Sequence, residues 1–285
     1  MKLDQDQINR YSEFGFLKVD NVVTEDSMSN LIKVINEEVD KRTLRLYASG
    51  LIKETAENES FARRWHEVSR QISDPQDTGT GWHGCMFGKE LYEMWTHPAI
   101  LDVVGSVIGN EIQCNGDYWV RPKLPGEIRT ALPWHQDSAY MPGSGEQHWP
   151  TVWLPLVPVD SVNGTLQFIS GSHQLSVQDH GAESASKFKT PAVDPSAGKE
   201  VVTLDMNPGD LVIFHNRVFH RSTVNGSSAI RWSADFRYSP KGDPITGLWH
   251  EKMCFTARSI EFPGHVSTWE SVKEKWQNSD QKERA

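Results

Sequence analysis

One short segment of the chain has residue types and spacing suited to a metal ion: Pro133-Trp134-His135-Gln136-Asp137-Ser138. On an extended strand, residues two apart point to the same face, so the His135 imidazole and the Asp137 carboxylate can converge on one cation. A third ligand must come from a distant strand, because neighbours in space within a β-barrel are not neighbours in sequence. His220 suits that role. It closes the apolar run Leu211-Val212-Ile213-Phe214-His215-Asn216-Arg217-Val218-Phe219-His220, which follows the turn Asn207-Pro208-Gly209-Asp210. Two neutral imidazoles and one carboxylate occupy one face of an octahedron. Positions stay open for a chelating co-substrate and dioxygen, as in non-haem iron(II) oxygenases.

Eleven residues beyond His220 stands Arg231, opening a stretch in which Arg231, Ser233, Asp235 and Arg237 alternate with Trp232, Ala234, Phe236 and Tyr238. The polar residues share one face. A guanidinium on a strand next to the metal strand is placed to take the far carboxylate of a dicarboxylic acid as a bidentate pair, while the acid's other end chelates the metal. A salt bridge from Arg231 to Asp235 or Asp210 is the competing structural reading. His215 competes with His220 as third ligand, but it precedes the Asn216-Arg217 kink and lacks the eleven-residue spacing to Arg231, so it reads as structural. His173 reads as a turn residue, and His83, His97, His148, His180, His250 and His265 show no ligand spacing.

The elements that must position these groups are legible in outline. Thr24 with Glu25 and Asp26 forms a helix start, and Met28, Leu31, Ile35 and Val39 recur at helical spacing, predicting an amphipathic helix over about 25–45. Pro98 at a first helical position and Gly109 after an apolar run mark another helix. From Glu111 onward, short runs rich in β-branched and aromatic residues are punctuated by Gly, Pro, Asn and Asp. Candidate strands are 112–121, 133–140, 150–158, 165–169, 200–206, 211–219 and 229–238. Without intervening helical patterns they favour a double-sheet jelly roll over a doubly wound α/β fold. The expected fold is mainly β with flanking helices in a single domain over 1–285: a helical third 1–110, a jelly-roll core 111–240 and an extension 241–285 that ends in a helix with Trp269 and Trp276. The polar stretch 171–199 is too long for a hairpin loop and reads as a candidate lid.

Composition narrows the partners. A formal charge of −9 and a pI near 5.7 give a nucleic-acid backbone or an anionic membrane no long-range attraction. The three cysteines never form a CxxC pair, which argues against a disulfide framework and points to a reducing, cytoplasmic compartment. The N-terminus lacks an apolar signal region, and no stretch approaches a membrane span. The sequons at Asn58, Asn163 and Asn225 then read as chance. Gly79-Thr80-Gly81-Trp82-His83-Gly84 matches a dinucleotide fingerprint only formally, since it follows Asp74-Pro75-Gln76-Asp77 and not a strand. Gly143-Ser144-Gly145 lacks a P-loop lysine and reads as a loop near the metal.

Taken together, the motifs resemble the phytanoyl-CoA dioxygenase family of 2-oxoglutarate-dependent oxygenases over nearly the whole chain. The resemblance rests on Gly15-Phe16-Leu17, Trp134-His135-Gln136-Asp137, Trp153, Asn163-Gly164-Thr165-Leu166 with Gly171-Ser172-His173, Pro208-Gly209-Asp210, and His220 with Arg231. It implies a double-stranded β-helix (jelly roll, cupin-like), Fe(II) held by His135, Asp137 and His220, and 2-oxoglutarate held by Arg231 with Ser222, Trp153 and Asn115 assisting. It also implies O2 as co-substrate and decarboxylation of 2-oxoglutarate to succinate. Related halogenases carry Gly or Ala where this chain has Asp137, so an intact carboxylate predicts hydroxylation of a substrate C–H bond. A desaturase, epoxidase or endoperoxidase on the same scaffold and a non-catalytic metal-binding sensor are the alternatives. Arg129, Lys187 and Lys189 are candidates for an anionic substrate, with solvated surface as the simpler reading. No large basic groove suits coenzyme A, so a free small molecule is favoured, in a natural-product or catabolic pathway.

Overall fold

The computed structural model describes residues 1–73, 82, 86–141, 147–186, 188–244 and 253–283. The glycines of 79–84 and 143–145, with His83, Cys85, Lys187 and His250, lie outside the described residues. The chain forms α1 (Gln5–Phe14), β1 (Phe16–Val19), α2 (Glu25–Ala48), α3 (Arg64–Ser69), α4 (Lys89–Trp95) and α5 (Pro98–Ile108), followed by β2 (Ile112–Lys123), β3 (Pro150–Pro155) and β4 (Leu166–Ile169). Then come β5 (Ala182–Glu183), β6 (Lys189–Thr190), β7 (Val201–Thr203), β8 (Leu211–His215), β9 (His220–Ser222), β10 (Arg231–Pro240), β11 (Phe255–Arg258) and α6 (Trp269–Glu283).

Two antiparallel sheets face each other, as expected of a jelly roll. The larger has strand order β1-β8-β3-β10-β2-β11 and the smaller β7-β4-β9, while β5 and β6 pair alone as a hairpin. β10 is buried along nearly its full length, and its alternation assigns each half of it a task. Trp232, Ala234, Phe236 and Tyr238 join the core under the helices, with Leu31, Ile35, Trp95 and Val104. The alternate residues Arg231, Ser233, Asp235 and Arg237 point the other way, into the space between the sheets. A second apolar cluster fills part of that space, with Phe16, Trp153, Phe168, Val212 and Phe214.

The helices begin as their sequences dictate. The Thr24 side chain caps α2, whose buried face carries Met28, Leu31, Ile35 and Val39, and Pro98 starts α5. Gly15 ends α1 at φ +81°, and a Cβ there would lie 2.4 Å from Nδ1 of His173. Only glycine meets both demands.

Four expectations need correction. The predicted strand 133–140 is a single bridge at His135 followed by a 3₁₀ turn over Asp137–Tyr140. The apolar run ending at His220 is two strands in different sheets, broken at Asn216–Arg217, because β8 turns there to cross to the smaller sheet. Arg231 is therefore not on a strand adjacent to that of His220; it faces it from the larger sheet. The helical third and the extension also donate edge strands, β1 and β11, to the larger sheet, both too short to show a period. Among the described residues no helix is long and apolar enough to cross a membrane.

Candidate metal centre

The two sheets bring His135, Asp137 and His220 together, with one ligand atom from each lying within 4.8 Å of the others. His135 and His220 are bridge partners. Gln136 is extended between His135 and Asp137, so both side chains stay on one side before the chain turns. Nε2 of His135 and Nε2 of His220 each lie 3.6 Å from Oδ1 of Asp137.

Hydrogen bonds behind the ligands fix which atom each presents. Nδ1 of His135 donates to the Pro133 carbonyl at 2.8 Å and Nδ1 of His220 to the Val218 carbonyl at 3.1 Å, so both Nε2 lone pairs face Asp137. Oδ2 of Asp137 accepts from Thr151 Oγ1 at 2.8 Å and from Arg237 Nε and Nη2 at 3.3 Å each, which leaves Oδ1 for an ion. Burial pushes the Asp137 carboxyl up, but the Arg237 guanidinium and the two imidazoles outweigh it and hold the group well below the usual carboxylate range. Burial, with His135 beside it, pushes His220 down to about 3. A carboxylate and two imidazoles whose Nε2 atoms converge on it fit a divalent transition-metal ion. Thr151 and Arg237 were not assigned this role from sequence, although Arg237 lies on the polar face of the β10 stretch.

A cavity of about 300 Å³ opens onto the three ligands. Its base is buried and includes Arg231, Trp153 and Ser222. Arg231 is only 2 % exposed. Its Nη1 donates to Ser233 Oγ at 2.7 Å, its guanidinium carbon lies 5.3 Å from the Trp153 ring centre, and its Nε has no partner among the described residues. The structural alternatives are taken by other cations: Asp235 pairs with Arg121 and Arg237, and Asp210 with Lys18. Burial, with the Arg121 charge nearby, pushes Arg231 down to about 9. Among the described residues no carboxylate pairs with this buried guanidinium, which leaves its charge available to an anion in the cavity.

Asn115 is placed elsewhere. Next to an irregularity in the β2–β10 register, its Oδ1 accepts the Asp117 backbone N–H at 3.1 Å, and Asp117, Trp119 and Arg121 line the cavity from β2 without it. His215 and His173 take the structural places expected of them: His215 stacks on His148 at 4.3 Å between ring centres, and His173 packs against Gly15. Arg129 pairs with Glu127.

Part of the stretch 171–199 borders the site. Phe188 lines the cavity, Tyr140 Oη donates to the Lys189 carbonyl at 2.7 Å, and Thr190 Oγ1 donates to the Trp134 carbonyl at 2.9 Å. Gln136, between the two ligands, is fully buried and holds this stretch. Its Oε1 accepts from Gln178 N at 2.8 Å, its Nε2 donates to the Arg217 carbonyl at 2.8 Å, and its backbone N–H donates to His180 Nε2 at 3.0 Å.

The chain resembles known proteins in sequence and in fold. The sequence profile of the phytanoyl-CoA dioxygenase (PhyH) family matches residues 11–233. A 1-deoxypentalenic acid 11-beta-hydroxylase of Streptomyces arenae is 28% identical over 161 residues, covering 52% of this chain and 56% of that protein. The chain thus spans little more than half the length of that relative. The peroxisomal phytanoyl-CoA dioxygenase of Bos taurus is 24% identical over 80% of this chain and 66% of its own length. Among solved structures, the epimerase SnoN in complex with Fe3+, alpha ketoglutarate and nogalamycin RO shares the fold at a TM-score of 0.56 and 20% identity, covering 90% of this chain and 86% of that one. CytC3 with Fe(II) and alpha-ketoglutarate does so at 0.54 and 18%, covering 93% of each. With its family profile matched over most of its length and the His135, Asp137 and His220 cluster between the sheets of the fold, this chain belongs to the phytanoyl-CoA dioxygenase (PhyH) family.

Proposed function

We propose that the protein is an Fe(II)- and 2-oxoglutarate-dependent dioxygenase that hydroxylates an unactivated C–H bond of a small-molecule metabolite. The observation that carries this reading is the buried Arg231, on the wall of the cavity that holds the three metal ligands, whose Nε lacks a partner among the described residues. His135, Asp137 and His220 would hold the iron. Arg231 would take the far carboxylate of 2-oxoglutarate, with Ser222 and Trp153 lining the same pocket. Bound iron(II), with 2-oxoglutarate and O2, supplies the oxidising power, releasing succinate and carbon dioxide. The chain's own tasks are positional. The Pro133 and Val218 carbonyls fix the imidazole tautomers, and Thr151 and Arg237 hold one carboxylate oxygen of Asp137 away from the ion. Phe188 and the stretch held by Gln136 exclude water from the site. The carboxylate at Asp137, where halogenases have none, favours oxygenation.

The test is succinate release from 2-oxoglutarate with Fe(II) and a metabolite panel under 18O2. Incorporation of one labelled oxygen into a product supports hydroxylation. A product two hydrogens lighter without label indicates desaturation, and no succinate above the His135→Ala background across the panel sinks the enzymatic reading.

A further inference from the structure

The co-substrate reading accounts for the base of the cavity and leaves its outer part, which has a cation of its own. Arg121 stands on β2 opposite Ser233, on the strand face it shares with Asp117 and Trp119, and all three line the cavity. Its side chain is 23% exposed, where Arg231 and Arg237 are buried. Its guanidinium is held from two directions: Nε donates to Oδ2 of Asp235 at 2.9 Å, and the guanidinium carbon lies 4.3 Å from the centre of the Trp119 ring. These two contacts lock its plane. No other hydrogen bond joins it to a described residue, so the fork formed by Nη1 and Nη2 remains for a ligand.

Its place in the cavity separates it from the co-substrate receptor. The Arg121 charge helps push down Arg231 at the base and also opposes the rise of the Tyr140 hydroxyl at the rim, so the guanidinium lies within electrostatic reach of both. The other rim arginine does not compete. Arg221 adjoins His220 on β9, so its side chain alternates to the opposite face, where it lies 4.5 Å from the centre of the Trp134 ring and donates to Gln167. Asp117 is engaged by Arg237 at 3.0 Å, and the rest of the outer wall is apolar or aromatic, with Trp119, Tyr140, Met141 and Phe188.

We propose that Arg121 is a second carboxylate receptor, for the substrate itself, and that the molecule oxidised is an apolar monocarboxylic acid whose hydrocarbon body lies against Trp119, Met141 and Phe188. This rests on the co-substrate reading for Arg231. A planar, stacked guanidinium matches a carboxylate in a bidentate pair. Because Asp235 already shares its charge, it suits a monoanion better than the several phosphate charges of a coenzyme A thioester.

The experiment is calorimetric titration of the Zn(II)-loaded protein, which cannot turn over, with saturating 2-oxoglutarate so that Arg231 and the metal are occupied. The probes are three acids of different skeleton, each with its carboxamide: decanoic acid, adamantane-1-carboxylic acid and 2-naphthylacetic acid. The expected result is that wild type binds at least one acid 10-fold or more tighter than its amide, and that Arg121→Gln removes the preference. Arg121→Lys, which keeps the charge and loses the fork, should retain only part of it. No acid preference on any skeleton in wild type overturns the proposal without help from a variant. So does a preference that survives in Arg121→Gln. Titration with 2-oxoglutarate alone separates the two readings. If Arg121→Gln loses 2-oxoglutarate and Arg231→Gln keeps it, Arg121 is the co-substrate receptor and the proposal falls. If wild type binds no 2-oxoglutarate, the co-substrate reading falls instead.

Discussion

His135 and His220, far apart in sequence, are paired backbone to backbone: each donates its N–H to the other's carbonyl at 3.0 Å, and their rings lie 4.1 Å apart. The spacing of the two metal ligands is therefore fixed by main-chain hydrogen bonds, independent of side-chain rotamers. His135→Ala keeps this bridge and removes one ligand. It should lower Zn(II) affinity by at least 100-fold with little change in melting temperature of the metal-free protein. Wild-type affinity in the variant would dismiss the three-residue site.

Thr151 gives Asp137 one of its hydrogen bonds. Thr151→Val keeps the shape of the side chain and removes the shortest bond to Oδ2, leaving only the two longer ones from Arg237, so metal affinity should fall roughly 10- to 100-fold, as is usual when a group behind a ligand is lost. Arg237→Met should do more harm. It leaves the buried Asp137 and Asp235, and the half-buried Asp117, without their shared cation, at a cost of about 3–5 kcal/mol in folding. Unchanged Zn(II) titrations and unfolding curves in both variants would show that Asp137 needs no support.

Arg231→Gln removes the cation beside Trp153 while leaving the metal ligands intact. 2-Oxoglutarate binding to the Zn(II) protein should weaken by about 2–5 kcal/mol, the range for one partner of a buried charge pair. Metal affinity should hold. Equal 2-oxoglutarate affinity in variant and wild type would assign that carboxylate to another group.

Gln136→Leu replaces a buried clamp with an apolar side chain of similar size. The Gln178 N–H and the Arg217 carbonyl lose their partner, costing about 1–3 kcal/mol for each group left unpaired. Hydrogen exchange of amides in 176–190 should rise well above the rest of the protein. Protection equal to wild type there would mean that Tyr140, Thr190 and the Gln136 backbone N–H hold the stretch without the Gln136 side chain.

His148 and His215 stack face to face beside His173, Tyr11 and Arg217. Burial, with His173 and Arg217 adding repulsion, pushes His148 down to about 4, and burial with His148 pushes His215 down to about 2. Both are thus neutral in the folded protein, while in the unfolded chain they take up a proton below about pH 6.5. The unfolded state binds more protons in this window, so stability is full above pH 6.5 and falls as the pH drops toward 4. At pH 5 His148 alone costs about 2 kcal/mol. Melting temperatures between pH 7.5 and 5 should fall less steeply in His148→Gln, and parallel curves for the two proteins would refute the account.

The chemistry was more legible in the sequence than the scaffold. His135, Asp137, His220 and Arg231 were readable because metal and anion binding demand particular residue types, and those types stood in a recognisable order. What escaped depends on pairing across long distances. Nothing near Phe16 or Phe255 announces that four-residue segments will seal the edges of the larger sheet. Nothing in the run 211–220 says that it splits between sheets, since its apolar character continues through the break. Gln136 carries no signal of its own between His135 and Asp137, and its clamping role exists only once residues 176–180 return to it. Arg237 was visible on a polar strand face, but which of four neighbours would grip Asp137 is a matter of register.

The order of strands also sets when each part of the molecule can come into being. The partner of β1, β8, is made almost two hundred residues after it, and β2 waits more than a hundred residues for β10. His135 meets His220 only after β8 has crossed to the smaller sheet, and Arg231 follows on the next strand. Local helices form meanwhile, but long-range antiparallel pairing is slow and leaves strand edges exposed while it waits. A nascent chain halted before residue 220 thus carries two ligands and no metal site, and the affinity for iron arrives in one step with the last third of synthesis.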